Sequence, residues 1–291
     1  MSSPMLTCLT DPDAKRRKIK SWLCPLEPWQ KQANVYADHH EGTGQWYLDS
    51  EEFKQWLEGT PEVLWCHGDP GSGKTVMASI VVNHLRQKFS KNYGVGVAAI
   101  YCEYKRQELM TPVNLLASMW DQLVLDQPLG EEIEHLYDSH AKFRTMATRD
   151  EVYSLVRREI RTLSAVYIIV DALDELDDDL NHREAFVEDL ESLLKWSETE
   201  EMSKVHLFVT SRLSHCPLAR SAVVRFTARL SDMKAFVANA ISRGLCSSND
   251  ISSRIRADVA QRKHLTEDIS TKASGLLVSR WDTNNRIFAH C

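Results

Sequence analysis

Eight consecutive residues, Gly68-Asp-Pro-Gly-Ser-Gly73-Lys74-Thr75, carry the densest chemical signal in the chain. They match the spacing G-x-x-x-x-G-K-[ST] at every fixed position. Gly68, Gly71 and Gly73 let the backbone turn tightly and bring the N–H groups of this stretch, Ser72 included, around an anionic oxygen. Lys74 would add a point charge for the β/γ-phosphates, and the Thr75 hydroxyl an oxygen ligand for Mg²⁺. Both flanks agree with this chemistry. Val63-Leu-Trp-Cys66 reads as a short apolar strand, and Val76, Ile80, Val81, Leu85 and Phe89 recur at helical spacing. The helix that Thr75 opens points its positive end at the same anion. A glycine-rich turn that binds nothing is the plain alternative, and the complete match with both flanks favours phosphate.

A bound phosphate chain needs a metal, and the next acidic strand tip supplies a ligand. Val166-Tyr-Ile-Ile-Val-Asp171 is almost unbroken apolar sequence ending in a carboxylate, the pattern of a strand buried on both faces of a parallel sheet. Asp171 is placed to hold Mg²⁺ directly or through water. Asp174 and Glu175 follow closely, and either orient or deprotonate an attacking water or only support the loop. Asp177, Asp178 and Asp179 read as an acidic loop leading into the next helix. The strand Val205–Thr210 runs into Ser211 and Arg212. An arginine there is either an ordinary loop residue or a group near the γ-phosphate.

Composition narrows the classes. The chain has 291 residues, 43% hydrophobic and 26% charged, with a formal net charge of −6. Such a balance suits an ordinary globular protein and offers no general attraction to nucleic acid or acidic lipid. No apolar run approaches the ~20 residues that span a bilayer. The first ten residues lack the charged and apolar regions of a secretory signal. Cys8, Cys24, Cys66, Cys102, Cys216, Cys246 and Cys291 are scattered without metal-ligand spacing, and His39-His40 have no zinc partner pair. Reduced thiols in a cytoplasmic or nuclear compartment are the expectation.

The elements that must position these residues alternate. Residues 13–20 form a basic run, read as a solvated helix face continuing towards Pro25, with a nuclear-import or nucleic-acid patch as the alternative. Pro25 and Pro28 break that segment. Gly42-Thr43-Gly44 reads as a turn, placed where an adenine-side contact would be supplied. Asp49 with Glu52 would cap a helix burying Phe53, Trp56 and Leu57, which Gly59 and Pro61 end. A strand is expected at Val95–Tyr101, helices over 112–126 and 150–163 and around Ile133–Tyr137, and another carrying Phe186, Leu190, Leu193, Leu194 and Trp196. A strand at Ala222–Phe226 and a helix from Asp232 to Ile241 close the pattern. Strands alternating with helices predict an α/β fold, a doubly wound, mostly parallel five-stranded sheet flanked by helices, with a helical N-terminal extension. The expected divisions are an extension over 1–58, a nucleotide-binding core over 59–230 and an incomplete helical segment over 231–291.

Three stretches together resemble the NACHT class of STAND P-loop NTPases, nearest to fungal NLR-like proteins: Gly68–Thr75, V-Y-I-I-V-D-A-L-D-E at 166–175 and H-L-F-V-T-S-R at 206–212. Residues 41–57 and 19–26 resemble the segment that precedes this core. The resemblance implies an ATP- or GTP-driven switch with slow hydrolysis. In that family the diphosphate form is closed, and exchange permits self-association and signalling to a protein effector, often in non-self recognition or regulated cell death. It assigns phosphate binding to Gly68, Gly71, Ser72, Gly73, Lys74 and Thr75. Metal and water handling fall to Asp171, Asp174 and Glu175, and γ-phosphate sensing to Arg212. The family also has a helical domain and a winged helix with a phosphate-contacting histidine. Residues 269–278 begin to resemble that continuation, residues 279–291 do not, and neither His264 nor His290 fits the role. No ankyrin or WD repeat and no effector domain is recognisable, so the chain reads as a fragment or truncated product.

The competing readings are an AAA-type remodelling ATPase acting on protein or nucleic acid and a small-molecule kinase. Acidic net charge and the lack of an aromatic-interleaved basic groove weigh against nucleic acid. No substrate-lid sequence speaks for a kinase. The absence of N-K-x-D disfavours a Ras-type GTPase.

Overall fold

A computed structural model describes residues 12–37, 39, 42–124, 127–199, 203–227, 229, 231, 232 and 234. Helices α1 (Pro12–Leu23), α2 (Pro28–Ala37), α3 (Gln45–Leu48) and α4 (Glu51–Leu57) precede strand β1 (Val63–His67) and helix α5 (Lys74–Lys88). Then come β2 (Val95–Tyr101), α6 (Pro112–Val124), α7 (Glu131–Phe143), α8 (Arg149–Arg161) and β3 (Ala165–Asp171). Helix α9 (His182–Thr199), β4 (Lys204–Ser211) and β5 (Ser221–Arg225) complete the order.

The strands form one sheet in the order β2-β3-β4-β1-β5, every neighbouring pair parallel. Helices between the strands cover both faces of the sheet, and this is why β1, β3 and β4 are apolar almost throughout. Alternate residues feed two cores. Val63, Trp65, Val166, Ile168, Val170, Leu207 and Val209 meet side chains of α1, α6, α8 and α9. Leu64, Cys66, Tyr167, Ile169 and Phe208 meet α4 and α5 on the other face. The α/β layering expected from the sequence is therefore present, with the sheet wholly parallel.

The outer strand β2 is protected by an amide rather than by another strand. Gln122 on α6 is fully buried and grips Ala99 at both ends. It accepts from the Ala99 N–H (2.8 Å) and donates to the Ala99 carbonyl (2.9 Å). Gln32 of α2 acts nearby, donating to the Ser79 carbonyl of α5 at 2.9 Å and accepting from the Tyr101 hydroxyl.

Several local expectations are corrected. Pro28 does not break a helix but begins α2, since a proline at the first helical position loses no intrahelical hydrogen bond. Ser50, not Asp49, caps α4: its hydroxyl accepts from Phe53 N–H at 3.3 Å, while Asp49 closes α3. Ser211 lies inside β4, and Phe226 lies beyond the end of β5. The basic run is helical, and its ends are tied down: Lys15 pairs with Glu134 (2.8 Å) and Lys20 with Asp121 (2.7 Å), while Ile19 and Leu23 enter the core. The helix expected from Asp232 and the readings on 269–291 lie almost wholly outside the described residues.

Candidate functional site

All strands run the same way, so the loops after β1, β3 and β4 meet at one end of the sheet, beside two adjacent strands and the next. The loop after β1 is the Gly68–Thr75 stretch. Gly71 and Gly73 have φ of 77° and 91°, a left-handed geometry that side chains resist. Gly68 is needed for a different reason. A Cβ there would stand 2.3 Å from the Phe226 carbonyl oxygen, where the chain leaving β5 crosses the loop. The Gly68 N–H bonds the Ser211 carbonyl at 3.3 Å, tying loop to β4.

Gly73 occupies the N-cap of α5 and offers no side chain to its first N–H groups. Those amides remain available to an anion. Lys74 crosses the loop, its ammonium donating to the Gly68 carbonyl (2.6 Å) and the Asp69 carbonyl (3.0 Å). Burial lowers the Lys74 pKa, opposed by the charges of Asp174 and Asp171, while Arg212 adds to the lowering. Those three residues therefore share the electrostatic surroundings of Lys74, although they lie about 100 to 140 positions away in sequence.

Asp171 ends β3 and is 3% exposed. Burial pushes its carboxyl up from 3.8 to about 6, and hydrogen bonds from Thr210 and Thr75 restrain the rise. The Thr210 hydroxyl donates to it at 2.6 Å and accepts from the Ala172 N–H at 2.9 Å. Ala172 has φ of 56°, a left-handed turn that swings Leu173–Glu175 into a short 3₁₀ turn above the strand.

That turn places Asp174 against Arg212. The Asp174 carboxylate accepts from the Arg212 backbone N–H at 2.8 Å and from its Nε. Burial pushes Asp174 up, but these contacts outweigh it and hold the carboxyl below its ordinary value. Glu175 instead accepts from the Tyr104 N–H at 3.1 Å, and Gln107 donates to the Glu175 carbonyl at 2.5 Å. Thus Lys74, Asp171, Asp174 and Arg212 gather, whereas the Glu175 carboxylate is turned to the loop after β2. Asp177 accepts from Asp179 and Leu180 N–H groups, a turn residue as expected.

The donor set suits a magnesium-bound phosphate chain. The Thr75 hydroxyl lies near enough to the Asp171 carboxylate to lower its pKa, and both are hard oxygen donors. Mg²⁺ takes one or two protein oxygens and fills the rest with phosphate and water. Among the described residues no cluster of three or more His, Cys, Asp or Glu could cage a metal alone.

A second wall was less legible. Gly44, with φ of 78°, sits so close to α5 that a Cβ would meet Ile80 Cδ1 at 2.8 Å and Met77 Cε at 2.9 Å. Its N–H and the Trp46 indole N–H both donate to Asp232, at 3.3 and 2.9 Å. Trp46 stacks on Phe226 with ring centres 5.5 Å apart, and the Arg229 guanidinium lies 4.0 Å from the centre of the Trp46 ring. The Thr43 hydroxyl oxygen is buried without a partner among the described residues. Neither Phe226 nor Asp232 carried a motif signal, and Thr210 was visible only as the end of a strand.

Comparison with known proteins bears on the same region. The family described as nephrocystin 3, N-terminal, matches residues 42–212. The vegetative incompatibility protein HET-E-1 of Podospora anserina is 29% identical over 144 residues, 46% of this chain. The chain spans about a tenth of that relative's length, since the match covers 10% of it. Among solved structures, the Aeropyrum pernix ORC2 protein in its ADP form aligns with a TM-score of 0.42 at 14% identity, covering 88% of this chain and 61% of that one. The C. elegans PCH-2 structure aligns at 0.39 and 12% identity, covering 89% and 62%. At such scores the fold rests on the strand order itself, not on these likenesses.

Proposed function

Since the chain belongs to the nephrocystin 3 N-terminal family, whose match spans more than half of it, we propose that it is a nucleotide-driven switch of the NACHT and STAND kind. The observation that carries this reading is the meeting of the Gly68–Thr75 loop with Asp171, Asp174 and Arg212 around the Lys74 ammonium. The loop of Gly68, Gly71, Ser72, Gly73, Lys74 and Thr75 holds the phosphates of ATP or GTP through amides other than those of Gly68 and Ser72, which bond the Ser211 and Asp69 carbonyls and fix the loop's shape. Lys74 exchanges its bonds to the Gly68 and Asp69 carbonyls for phosphate oxygens. Thr75 and Asp171 hold Mg²⁺, which when bound neutralises charge on the β- and γ-oxygens.

Arg212 and Asp174 supply the switch element. An anion that draws the guanidinium away leaves Asp174 held by the Arg212 backbone N–H alone, with its other oxygen free to orient water, while Glu175 stays on the Tyr104 N–H at the edge of the site. Slow hydrolysis follows from that coupling: the base is engaged until the phosphate sensor moves. We take residues 59–230 as the nucleotide-binding core, 1–58 as an N-terminal extension whose described helices α1 to α4 lie before the sheet, and 231–291 as a separate division. Self-association in the triphosphate state, a protein effector and a role in fungal non-self recognition complete the proposal, in a cytoplasmic or nuclear setting. No helix among the described residues is long and apolar enough to cross a membrane. The pairing of Lys15 and Lys20 with Glu134 and Asp121 weighs against an open nucleic-acid surface on α1.

Isothermal titration of the chain with Mg²⁺-ATP and Mg²⁺-GTP tests the reading. Binding of at least one nucleotide is expected, with Lys74→Ala losing it by a hundredfold or more. Unchanged affinity in the variant would refute the site.

A further inference from the structure

The sheet's outer edge at β2 is only partly covered. Peptide groups along a strand alternate in direction. The Cys102 N–H bonds the Asp171 carbonyl on the β3 side, and Ala99 faces outward to Gln122. Val97 shares the outward parity of Ala99. It is a buried residue, yet its N–H and C=O have no partner among the described residues. Unpaired peptide groups on an edge strand are a template for another chain, so this pair invites a ligand.

A groove of about 680 Å³ lies against Val97, at the end of the sheet away from the Gly68–Thr75 loop. Phe89, Leu123 and Leu163 give it apolar walls. Two arginines and a carboxylate also line it. Arg158 bonds Glu132 and faces the charge of Glu159. Arg86 is different: its guanidinium lies 4.0 Å over the Trp29 ring and has no carboxylate partner among the described residues.

We propose that this groove receives an extended, acidic and apolar peptide segment of a partner protein, laid along β2 as an added strand. The occupant follows from the chemistry. Gln122 shows what satisfies this edge one step further on, a carboxamide presenting donor and acceptor side by side, and a peptide backbone presents the same pair to Val97. An apolar side chain packs onto the wall that Leu123 and Leu163 form over Gly96, and a carboxylate meets Arg86. The volume lies within the range of specific binding pockets. Partner capture here leaves the nucleotide loop open.

Fluorescence anisotropy on the full chain tests this with a labelled heptapeptide alternating glutamate and leucine, against a twin carrying lysine for glutamate. The acidic peptide is expected to bind and the lysine twin not. Val97→Pro removes an N–H that takes no part in the β2–β3 ladder, and Arg86→Glu reverses the charge. Each should weaken binding about tenfold, with nucleotide affinity unchanged. Amide exchange of wild type provides a measurement that needs no variant: the Val97 N–H should become protected only when the peptide is added. Equal binding of both peptides, no binding at millimolar concentration, or indifference to both variants would overturn the proposal. So would a Val97 amide already protected in the chain alone and released by removing residues 1–11.

Discussion

Replacing Asp171 by asparagine should make the ligand-free protein more stable while abolishing its binding of Mg²⁺-nucleotide. The carboxyl is 3% exposed, and its pKa rises from 3.8 to about 6, chiefly through burial. Each tenfold in that proton equilibrium is worth about 1.4 kcal/mol, so ionised Asp171 costs the folded state about 3 kcal/mol at pH 8. The sign follows from the raised folded-state value. Above about pH 6 both states are ionised and the whole cost is present. Between 6 and 3.8 the folded protein takes up its proton first and the cost shrinks, to roughly half at pH 5; below 3.8 it vanishes. Asparagine keeps an acceptor for the Thr210 hydroxyl, which lies 2.6 Å from the carboxylate, and carries no charge to desolvate. Paired thermal melts at pH 8 and pH 5 read the difference. At about 2–4 °C per kcal/mol for a folded unit of this size, Asp171→Asn should melt on the order of 6–12 °C higher at pH 8, with the gap narrowing at pH 5. Saturating Mg²⁺-nucleotide should stabilise the wild type alone, by about 2.7 kcal/mol at a hundredfold excess over the dissociation constant. An asparagine variant equal to or less stable than wild type at pH 8, or a gap that ignores pH, would refute the burial argument.

Two further outcomes follow from contacts at the same end of the sheet. Arg212→Ala removes the cation that holds Asp174, and should abolish preference for triphosphate over diphosphate while leaving diphosphate affinity within about twofold, as titration with each nucleotide would show. Gly68→Ala drives a methyl to 2.3 Å from the Phe226 carbonyl oxygen, a backbone atom with little room to retreat. It should cost about 1–3 kcal/mol in denaturant unfolding and weaken nucleotide binding as well, whereas alanine at Gly42, whose Cβ would meet nothing within 4 Å, should leave binding intact.

The phosphate loop and the buried strands were legible in the sequence because their signals are local. A backbone that must turn tightly demands glycine at fixed offsets, and a strand covered on both faces demands continuous apolar residues, as in Val166–Val170. The α/β layering followed from the alternation of such segments. Helix boundaries were less secure, because a cap is decided by one hydroxyl: Ser50 rather than Asp49, and Pro28 as a beginning rather than an end. What no local pattern contains is which distant residues face one another. Strand order brings Arg212 to Asp174, sends Phe226 across Gly68 and ties Asp232 to Trp46. It also makes β2 an edge, so that Gln122 serves as a surrogate strand for Ala99 and Val97 has peptide groups unanswered among the described residues. Sequence alone determined the elements, since backbone geometry and burial act over a few residues; only tertiary packing decided the partners, since a hydrogen bond or ion pair depends on separation in space and not along the chain.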